Sequence, residues 1–246
     1  KITENKMTSN QTVYADWRAS TVPGLLNGDD HFAYVVGYPD GRVGPKDSIT
    51  RAETATIFFR LLKDEVRDGN LTHTSSFADV GSGTWYNTSV CTMERLGILK
   101  GRTATSFAPT APITRAEFAA ICARFDTGLS DGKSNFNDIG GHWAKSEIER
   151  AAALGWVQGD PDGKFRPDSC ITRAEAMTMI NRVLCRIPEA ESDLLSGMNV
   201  WPDSQPGTWY YLAVQEATNS HDFERKSDVY ERWTELTADP DWKKYE

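Results

Sequence analysis

The chain has 246 residues, of which 39% are hydrophobic, and this predicts a soluble, folded protein of one large or two ordinary domains. Its formal charge of −8 argues against nucleic acid as a partner, because nucleic-acid binding needs a basic patch that the sequence does not show. No stretch approaches the roughly 18 apolar residues of a membrane span, so membrane insertion is not expected.

Residues 1–30 are polar and weakly patterned, with Trp17 as the single large anchor. They are predicted to form a leading segment with at most one short helix. The chain begins at Lys1, without a methionine or a signal peptide. This predicts a processed protein or a module of a longer one.

The pentapeptide Ile-Thr-Arg-Ala-Glu occurs three times, at residues 49–53, 113–117 and 171–175. A Thr followed three residues later by Glu and then by an apolar run is a capping box, which predicts that a helix begins at each copy. The arginine is the exception, because a cation at the first helical position opposes the helix dipole. Its repetition predicts a second role, in which the free helix amides and the guanidinium bind an anionic group.

Longer units surround the pentapeptide. Aligning residues 37–60 with residues 159–182 without a gap gives identity at 12 of 24 positions, including a Pro-Asp-Gly turn. The middle copy keeps Gly101 but lacks this turn. A unit upstream also repeats, as Phe77-Ala-Asp79-Val with Trp85 and as Phe136-Asn-Asp138-Ile with Trp143. Apolar positions three apart follow each Trp, so a full repeat is predicted as helix, loop, helix.

The first repeat lacks its front half, and the end of the chain supplies one. Residues 199–220 contain Trp-Pro-Asp and a second Trp, but no Thr-Arg-Ala-Glu follows. We therefore expect the two chain ends to co-fold and to close three repeats into a ring, so that deleting residues 199–246 destabilises the first helix. Nine apolar residues of the second helices are expected to meet in a central three-helix bundle: Ala55, Phe58, Leu61, Ala119, Cys122, Phe125, Met177, Ile180 and Val183.

The predicted fold class is mainly α, with short extended segments in the loops. The predicted boundaries are residues 1–30 for the leading segment, 31–66 for the second half of repeat 1, 77–126 for repeat 2, 136–186 for repeat 3, 199–220 for the half-repeat that completes repeat 1, and 221–246 for a polar tail.

The combination of these motifs resembles tandem S-layer homology domains. The resemblance rests on Phe-x-Asp-Val, the Trp before the first helix, Leu-Gly-Ile-x-x-Gly, Pro-Asp-Gly, Phe-x-Pro and the pentapeptide, and it extends from residue 31 to residue 220. In that family three domains form a pseudo-threefold prism whose grooves bind secondary cell-wall polysaccharide, often through a pyruvate-ketal sugar. The resemblance implies a module that holds a larger protein on the bacterial cell surface.

The resemblance also implies ligand-binding residues. These are Arg51, Arg115 and Arg173, Trp85, Trp143 and Trp209, Asp79, Asp138 and Asp203, and the loop glycines Gly37, Gly101 and Gly159. The arginines are expected to be replaceable by alanine with folding nearly intact. Because the Gly101 loop is degenerate, the groove beside it is expected to contribute least, with Arg115→Ala the mildest variant.

Each of these residues has a structural alternative. The arginines could be braces between repeats, the tryptophans could be core residues, and the aspartates could be helix caps. Three further arginines lie nine residues beyond the first ones, on the opposite helix face, and are interpreted as structural braces: Arg60, Arg124 and Arg182.

Enzymatic activity is not predicted. The four histidines are scattered, the cysteines show no metal-binding spacing, and no nucleophile or repeated carboxylate pair stands out, so no cofactor or metal is expected. The alternative to a glycan-binding anchor is a protein assembly module on the same scaffold. Retention on purified cell-wall polymer separates these two hypotheses.

Overall fold

The structure, a computed structural model, describes residues 22–126, 128 and 132–245. The fold is mainly α-helical, as the sequence predicts. The described ranges contain the helices α1 (Arg51–Arg60), α2 (Asp64–Asn70), α3 (Asn87–Arg95), α4 (Arg115–Phe125), α5 (Lys145–Ala153), α6 (Arg173–Val183) and α7 (Tyr211–Thr218). They also contain the antiparallel strands β1 (His221–Arg225) and β2 (Glu231–Leu236), with short 3-10 turns at Glu191–Asp193 and Trp242–Tyr245. The predicted anchor Trp17 lies outside the described residues.

The helices α1, α4 and α6 each begin at a complete capping box. The side chains of Thr50, Thr114 and Thr172 accept the amide of the third helical residue, and the glutamate there returns a bond to the cap amide. This arrangement satisfies two backbone donors that a helix N-terminus otherwise leaves without partners. The capping-box prediction is therefore confirmed at all three copies.

The second helices contribute one common core. The nine apolar residues predicted to face the bundle are each at most 1% exposed, and all belong to a single hydrophobic cluster. Phe58 of α1 contacts Phe118 and Phe125 of α4, with ring centroids 5.7 and 5.1 Å apart. Burying large aromatic side chains in this way contributes about 1.5 to 3 kcal/mol each relative to exposure.

A closed ring of backbone hydrogen bonds joins the three pentapeptides. The amide of Ile49 donates to the carbonyl of Ile171 at 3.2 Å, Ile171 donates to Ile113 at 3.1 Å, and Ile113 donates to Ile49 at 3.0 Å. The helix α3 packs against α1, α5 against α4, and α7 against α6. The front helix of each repeat thus covers the second helix of the preceding repeat, as a closed threefold arrangement requires.

The two ends of the described chain meet. The amide of Tyr34 donates to the carbonyl of Ala217 at 3.1 Å. The carboxylate of Asp203 accepts the amides of Val43 and Gly44 at 3.1 and 2.8 Å. In the other two repeats the equivalent aspartate of the front half holds the same part of its own loop. These are the contacts expected if the C-terminal half-repeat completes repeat 1.

The segment after α7, described from its composition as a polar tail whose packing the sequence leaves open, is packed against the rest of the chain. The strands β1 and β2 form a hairpin, and Trp233 and Trp242 are only 3% and 9% exposed. The indole of Trp242 donates to the carbonyl of Ala33 at 3.1 Å. The strands are rich in charged residues, so the alternation of polar and apolar residues does not predict a buried face. Contacts with the other end of the chain hold this segment in place. No helix in the described ranges is both long and apolar enough to cross a bilayer.

Candidate functional site

Each pentapeptide arginine reaches the loop that precedes the next central helix. The Nε atom of Arg51 donates to the carbonyl of Phe107 at 2.7 Å, and its Nη2 atom donates to Lys100 at 2.8 Å. Its Nη1 atom lies 3.0 Å from Oε1 of Glu117, the capping-box glutamate of α4. The other two arginines make the same three kinds of contact with the third and first loops.

These contacts make the arginines braces between repeats, which is the structural alternative considered for them. Arg51 and Arg173 are each only 4% exposed. Burial lowers the pKa of the Arg51 guanidinium, and the nearby Glu117 carboxylate opposes that effect. Arginine stays charged because its ordinary pKa lies far above neutrality. A direct role in binding remains a prediction for these three residues.

The helix N-termini do not offer free amides to a ligand. The first amide of α1, at Arg51, donates to Ala111 at 3.0 Å, and the second, at Ala52, donates to Pro109 at 2.9 Å. The third amide is bound by Thr50. The amides of α4 and α6 have equivalent partners. The expectation that free helix amides hold an anion is therefore wrong.

In two clefts, the predicted arginine, tryptophan and loop glycine come from three different repeats. A cleft of about 580 Å³, here called the Gly101 groove, contains the loop glycine of repeat 2, Arg51 of repeat 1 and Trp143 of repeat 3. A second cleft of about 700 Å³, the Gly37 groove, contains the loop glycine of repeat 1, Arg173 and Trp85. Both clefts therefore take one element from each repeat.

This arrangement corrects the pairing assumed for the degenerate loop. The arginine beside Gly101 is Arg51, whereas Arg115 donates to Gln158 and Phe165 in the third loop at 2.9 and 2.7 Å. A side chain at the first helical position points toward the neighbouring repeat, so its own loop is not the one it contacts. The mild effect expected for Arg115→Ala assumed that Arg115 lies beside the degenerate loop, and this assumption is wrong because Arg51 lies there.

The Gly101 groove is the more basic of the two clefts. Four basic side chains line it, those of Arg51, Lys100, Arg102 and Arg124, against the carboxylates of Glu117 and Asp168. Arg102 belongs to the degenerate loop, and its Nε atom lies 2.9 Å from Oε1 of Glu117. The loop that lacks Pro-Asp-Gly thus places a cation, Arg102, in this groove, which argues against a silent groove.

The three tryptophans lie at the surface. Trp85, Trp143 and Trp209 are 46%, 60% and 68% exposed, so the alternative that they are core residues is wrong. Leaving so large an apolar ring in water is unfavourable unless another molecule covers it. Trp85 and Trp143 line the two grooves, and their exposed rings can pack against a sugar face.

The aspartates have a structural role in the described molecule. Asp79 accepts the amides of Phe107 and Ala108 and the hydroxyl of Ser106, each at 2.8 Å. Burial alone would raise the pKa of the Asp79 carboxyl, but these donors outweigh it and hold the pKa below its ordinary value. Asp138 is held by two amides in the same way. Contact of these aspartates with a ligand remains a prediction.

The loop glycines permit close packing. A Cβ atom at Gly37 would overlap the ring of Trp201, and one at Gly101 or Gly159 would overlap the Phe of the Phe-x-Asp motif. A larger residue there would push the loop away from the front half-repeat. The glycines thus set the shape of the groove wall, whatever contact they make with a ligand.

Sequence reasoning missed several groove residues. Arg60 lines the Gly37 groove and Arg124 lines the Gly101 groove, although both were interpreted only as braces. Each also donates to a nearby carbonyl, of Tyr34 and Ile98 respectively. Arg60 and Arg124 each lie nine residues after a pentapeptide arginine, and this constant spacing could have marked them as groove residues. Lys100 and Arg102 gave none, because they occur only in the middle copy.

The fold and the clefts describe a class of protein, a mainly α-helical set of repeats with clefts between the repeats. A match to the S-layer homology domain covers residues 33–55, 76–119 and 135–177, the segments that contain the three pentapeptides. The chain therefore carries tandem S-layer homology domains.

Named relatives agree with this assignment. Cell surface glycoprotein 1 of Acetivibrio thermocellus is 33% identical over 232 residues, which are 89% of this chain and 10% of the relative. The cellulosome-anchoring protein of the same species is 32% identical over 200 residues, 79% of this chain and 44% of the relative. The amylopullulanase of Thermoanaerobacterium thermosulfurigenes is 34% identical over 160 residues, 61% of this chain and 8% of the enzyme. The chain thus spans less than half the length of each, and family and relatives together indicate a location at the bacterial cell surface.

Proposed function

We propose that this module anchors a larger protein to the bacterial cell wall by binding an anionic secondary cell-wall polysaccharide in its inter-repeat grooves. The observation that carries the proposal is the pairing of an exposed tryptophan with basic side chains in both clefts, four in the Gly101 groove and two, Arg60 and Arg173, in the Gly37 groove. A carboxylate-bearing sugar, such as a pyruvate ketal, presents an apolar face to the ring and an anion to the basic side chains.

Charge distribution supports an anionic ligand. The whole chain carries a formal charge of −8, yet four cations and two carboxylates line the Gly101 groove. A locally positive cleft on an acidic protein concentrates an anionic partner there and not elsewhere on the surface. Arg102 contacts the Glu117 carboxylate and the carbonyl of Pro112, but its side chain is 38% exposed. It can therefore turn toward a ligand.

The module is proposed to be non-catalytic. One relative is named as a cellulosome-anchoring protein, and the match to the amylopullulanase covers only 8% of that enzyme. The grooves combine cations with an aromatic platform, which suits binding. Attack on a glycosidic bond would need two carboxyl groups about 5 to 10 Å apart across the sugar. The two carboxylates of the Gly101 groove each contact a basic side chain instead, Glu117 that of Arg51 and Asp168 that of His142.

Co-sedimentation with purified cell-wall sacculi tests the function. The wild-type chain is expected to pellet with native sacculi and to stay in solution when their acidic substituents have been removed. Trp143→Ala is expected to weaken binding by at least about fivefold, since truncating a central aromatic contact commonly costs more than 1 kcal/mol. Tyr230→Ala, which removes an exposed aromatic residue in the hairpin, is the matched control.

Two outcomes would overturn the proposal. Equal binding to native and stripped sacculi would exclude recognition of the acidic group. A chain that ignores sacculi but associates with itself or with surface proteins would favour the assembly alternative.

A further inference from the structure

A buried cluster of metal-ligand side chains lies where the two chain ends meet, away from both grooves. His31 is the first residue of the second half of repeat 1, Glu216 lies on α7, His221 begins β1, and Glu231 begins β2. The side chains of all four are fully buried, at 0% exposure. One ligand atom from each lies within 4.8 Å of the others.

Four of the distances within the cluster are close to those between the ligands of a small tetrahedral ion. Nδ1 of His31 lies 3.4 Å from Nε2 of His221 and 3.3 Å from Oε1 of Glu231. Nε2 of His221 lies 3.3 Å from Oε2 of Glu216, whose Oε1 lies 3.7 Å from Nδ1 of His31. Ligand atoms about 2.0 to 2.1 Å from a tetrahedral zinc ion lie roughly 3.3 Å from one another.

The surrounding residues hold these ligands in position. Nδ1 of His221 lies 3.0 Å from the carbonyl of Asn219, which favours the tautomer whose Nε2 lone pair faces the cluster. The indole of Trp233 donates to Oε2 of Glu216 at 2.8 Å and stacks on His221. The ring of Phe223 stacks on His31 at 3.7 Å between centroids. Hydrogen bonds of this kind, from neighbouring groups to the ligand side chains, are typical of metal-binding histidines and carboxylates.

The cluster is chemically incomplete. Oε1 of Glu216 and Oε1 of Glu231 are buried and have no hydrogen-bond partner among the described residues. Buried carboxylate oxygens without partners are costly unless something binds them.

We propose that His31, Glu216, His221 and Glu231 form a binding site for a divalent transition metal ion of the zinc class. Two imidazole nitrogens and two carboxylate oxygens suit Zn²⁺, whereas Ca²⁺ and Mg²⁺ require mainly oxygen ligands in larger number. Because the four ligands come from both ends of the described chain, the ion would fasten the start of repeat 1, at His31, to α7 and the hairpin. Its role would be structural and independent of glycan binding.

An ion-free network is the competing arrangement. Nη1 of Arg225 lies 2.9 Å from Oε2 of Glu231, and the guanidinium of Arg186 is buried beside the cluster, donating to the carbonyls of Asn27 and Asp30 at 3.2 and 2.6 Å. Two arginines could balance two carboxylates without a metal. That arrangement predicts that added metal leaves the stability of the protein unchanged.

Metal titration of the whole chain separates the two arrangements. The wild-type protein, dialysed against EDTA and shown to be folded by circular dichroism, is titrated with ZnCl₂ in a calorimeter and with CoCl₂ in a spectrophotometer. We expect one ion per chain, a higher Tm with zinc, and the intense visible absorption of tetrahedral cobalt. Absence of saturable binding to the folded wild-type chain would overturn the proposal without any variant.

Variants locate the site. His31→Gln and Glu231→Gln should each weaken zinc binding by at least about 100-fold, the upper end of the losses seen when only a supporting partner of a ligand is removed. His73→Ala removes an exposed histidine outside the cluster and should bind as the wild type does. Unchanged affinity in both Gln variants would show that the metal binds elsewhere and overturn the assignment.

Discussion

The pentapeptide arginine combines two tasks in one side chain. In Arg51 the Nε and Nη2 atoms fix the loop of the next repeat, while Nη1 pairs with Glu117 at the wall of the Gly101 groove. The side chain is 5% exposed and the glutamate 15%, so the pair is largely shielded from water. An N1 cation that looks unfavourable for its own helix is thus explained by the helix and loop next to it.

We expect Arg51→Ala to destabilise the protein, in contrast to the nearly intact folding inferred from the helix position alone. Removing one partner of a buried, hydrogen-bonded ion pair costs about 3 kcal/mol or more. Arg51→Lys should recover only part of this, because an ammonium cannot reproduce the planar fork. Urea unfolding midpoints measure the effect.

Arg42→Ala is the control for that measurement. Arg42 pairs with Asp40 at the surface, with both side chains about half exposed, and such pairs contribute roughly 0 to 1 kcal/mol. If Arg51→Ala unfolds at the wild-type midpoint, Arg51 is not a brace. Binding experiments on arginine variants then need no correction for stability.

At the scale of the elements, each front half-repeat is attached to its loop by a carboxylate. Asp79 and Asp138 both bind two successive loop amides, and the loop in turn carries the groove glycine. The donors that hold these carboxylates also hold the pKa of each carboxyl below its ordinary value, although burial acts in the opposite direction. The loop contacts should therefore depend on pH.

Acid should weaken these contacts with a defined sign. Because the pKa of Asp79 is lower in the folded chain, its contribution is fully present above the unfolded pKa of about 3.9 and is lost as the pH falls through the folded pKa. We expect the Tm difference between the wild type and Asp79→Asn to be largest near neutral pH and to shrink below about pH 4. Asp228→Asn, in the exposed hairpin turn, should show no such convergence. A Tm difference between the wild type and Asp79→Asn that stays constant down to about pH 2 would contradict this explanation.

The elements that the sequence predicts well are those specified by local residues. The capping boxes locate the starts of α1, α4 and α6, and the glycines after the front helices, Gly97 and Gly155, have the positive φ angles expected of helix C-caps. The hairpin was missed because its stability comes from distant partners and not from its own alternation. The assignment of each arginine to a groove was missed for a related reason, since it depends on which repeat stands next in the ring.

The same limit applies to the metal-ligand cluster. His31 and His221 lie 190 residues apart in the sequence, so no motif joins them, and the four histidines appeared scattered. The carboxylates come from a helix and a strand that meet only after the ring has closed. Sites assembled from chain ends cannot be found by spacing alone.

At the scale of the whole molecule, the chain ends are expected to be stabilised by each other. Residues 199–246 supply Asp203, the helix α7 and the hairpin, and these contact the segment that leads into α1. Deleting them removes the cover of α6 and the clamp on the first loop. We expect faster amide hydrogen exchange across α1. The largest loss of protection from exchange should occur in the loop that precedes this helix.

Helix α4 provides the internal reference for that experiment. The loop that precedes α4 keeps its Asp79 contacts in the truncated chain, whereas the loop that precedes α1 loses those of Asp203, so exchange in α4 should change less than in α1. Equal protection of α1 in the full and truncated proteins would exclude the closed arrangement of the chain.

The ring of isoleucine hydrogen bonds has a consequence for how such modules can vary in length. Each isoleucine amide is already matched to the carbonyl of another copy, and the third copy returns to the first. An open solenoid can gain or lose one repeat at its end by duplication or deletion, whereas here a single extra repeat has no amide or carbonyl in the ring left to join. Growth by gene duplication should therefore proceed in whole rings of three, each folding as its own unit.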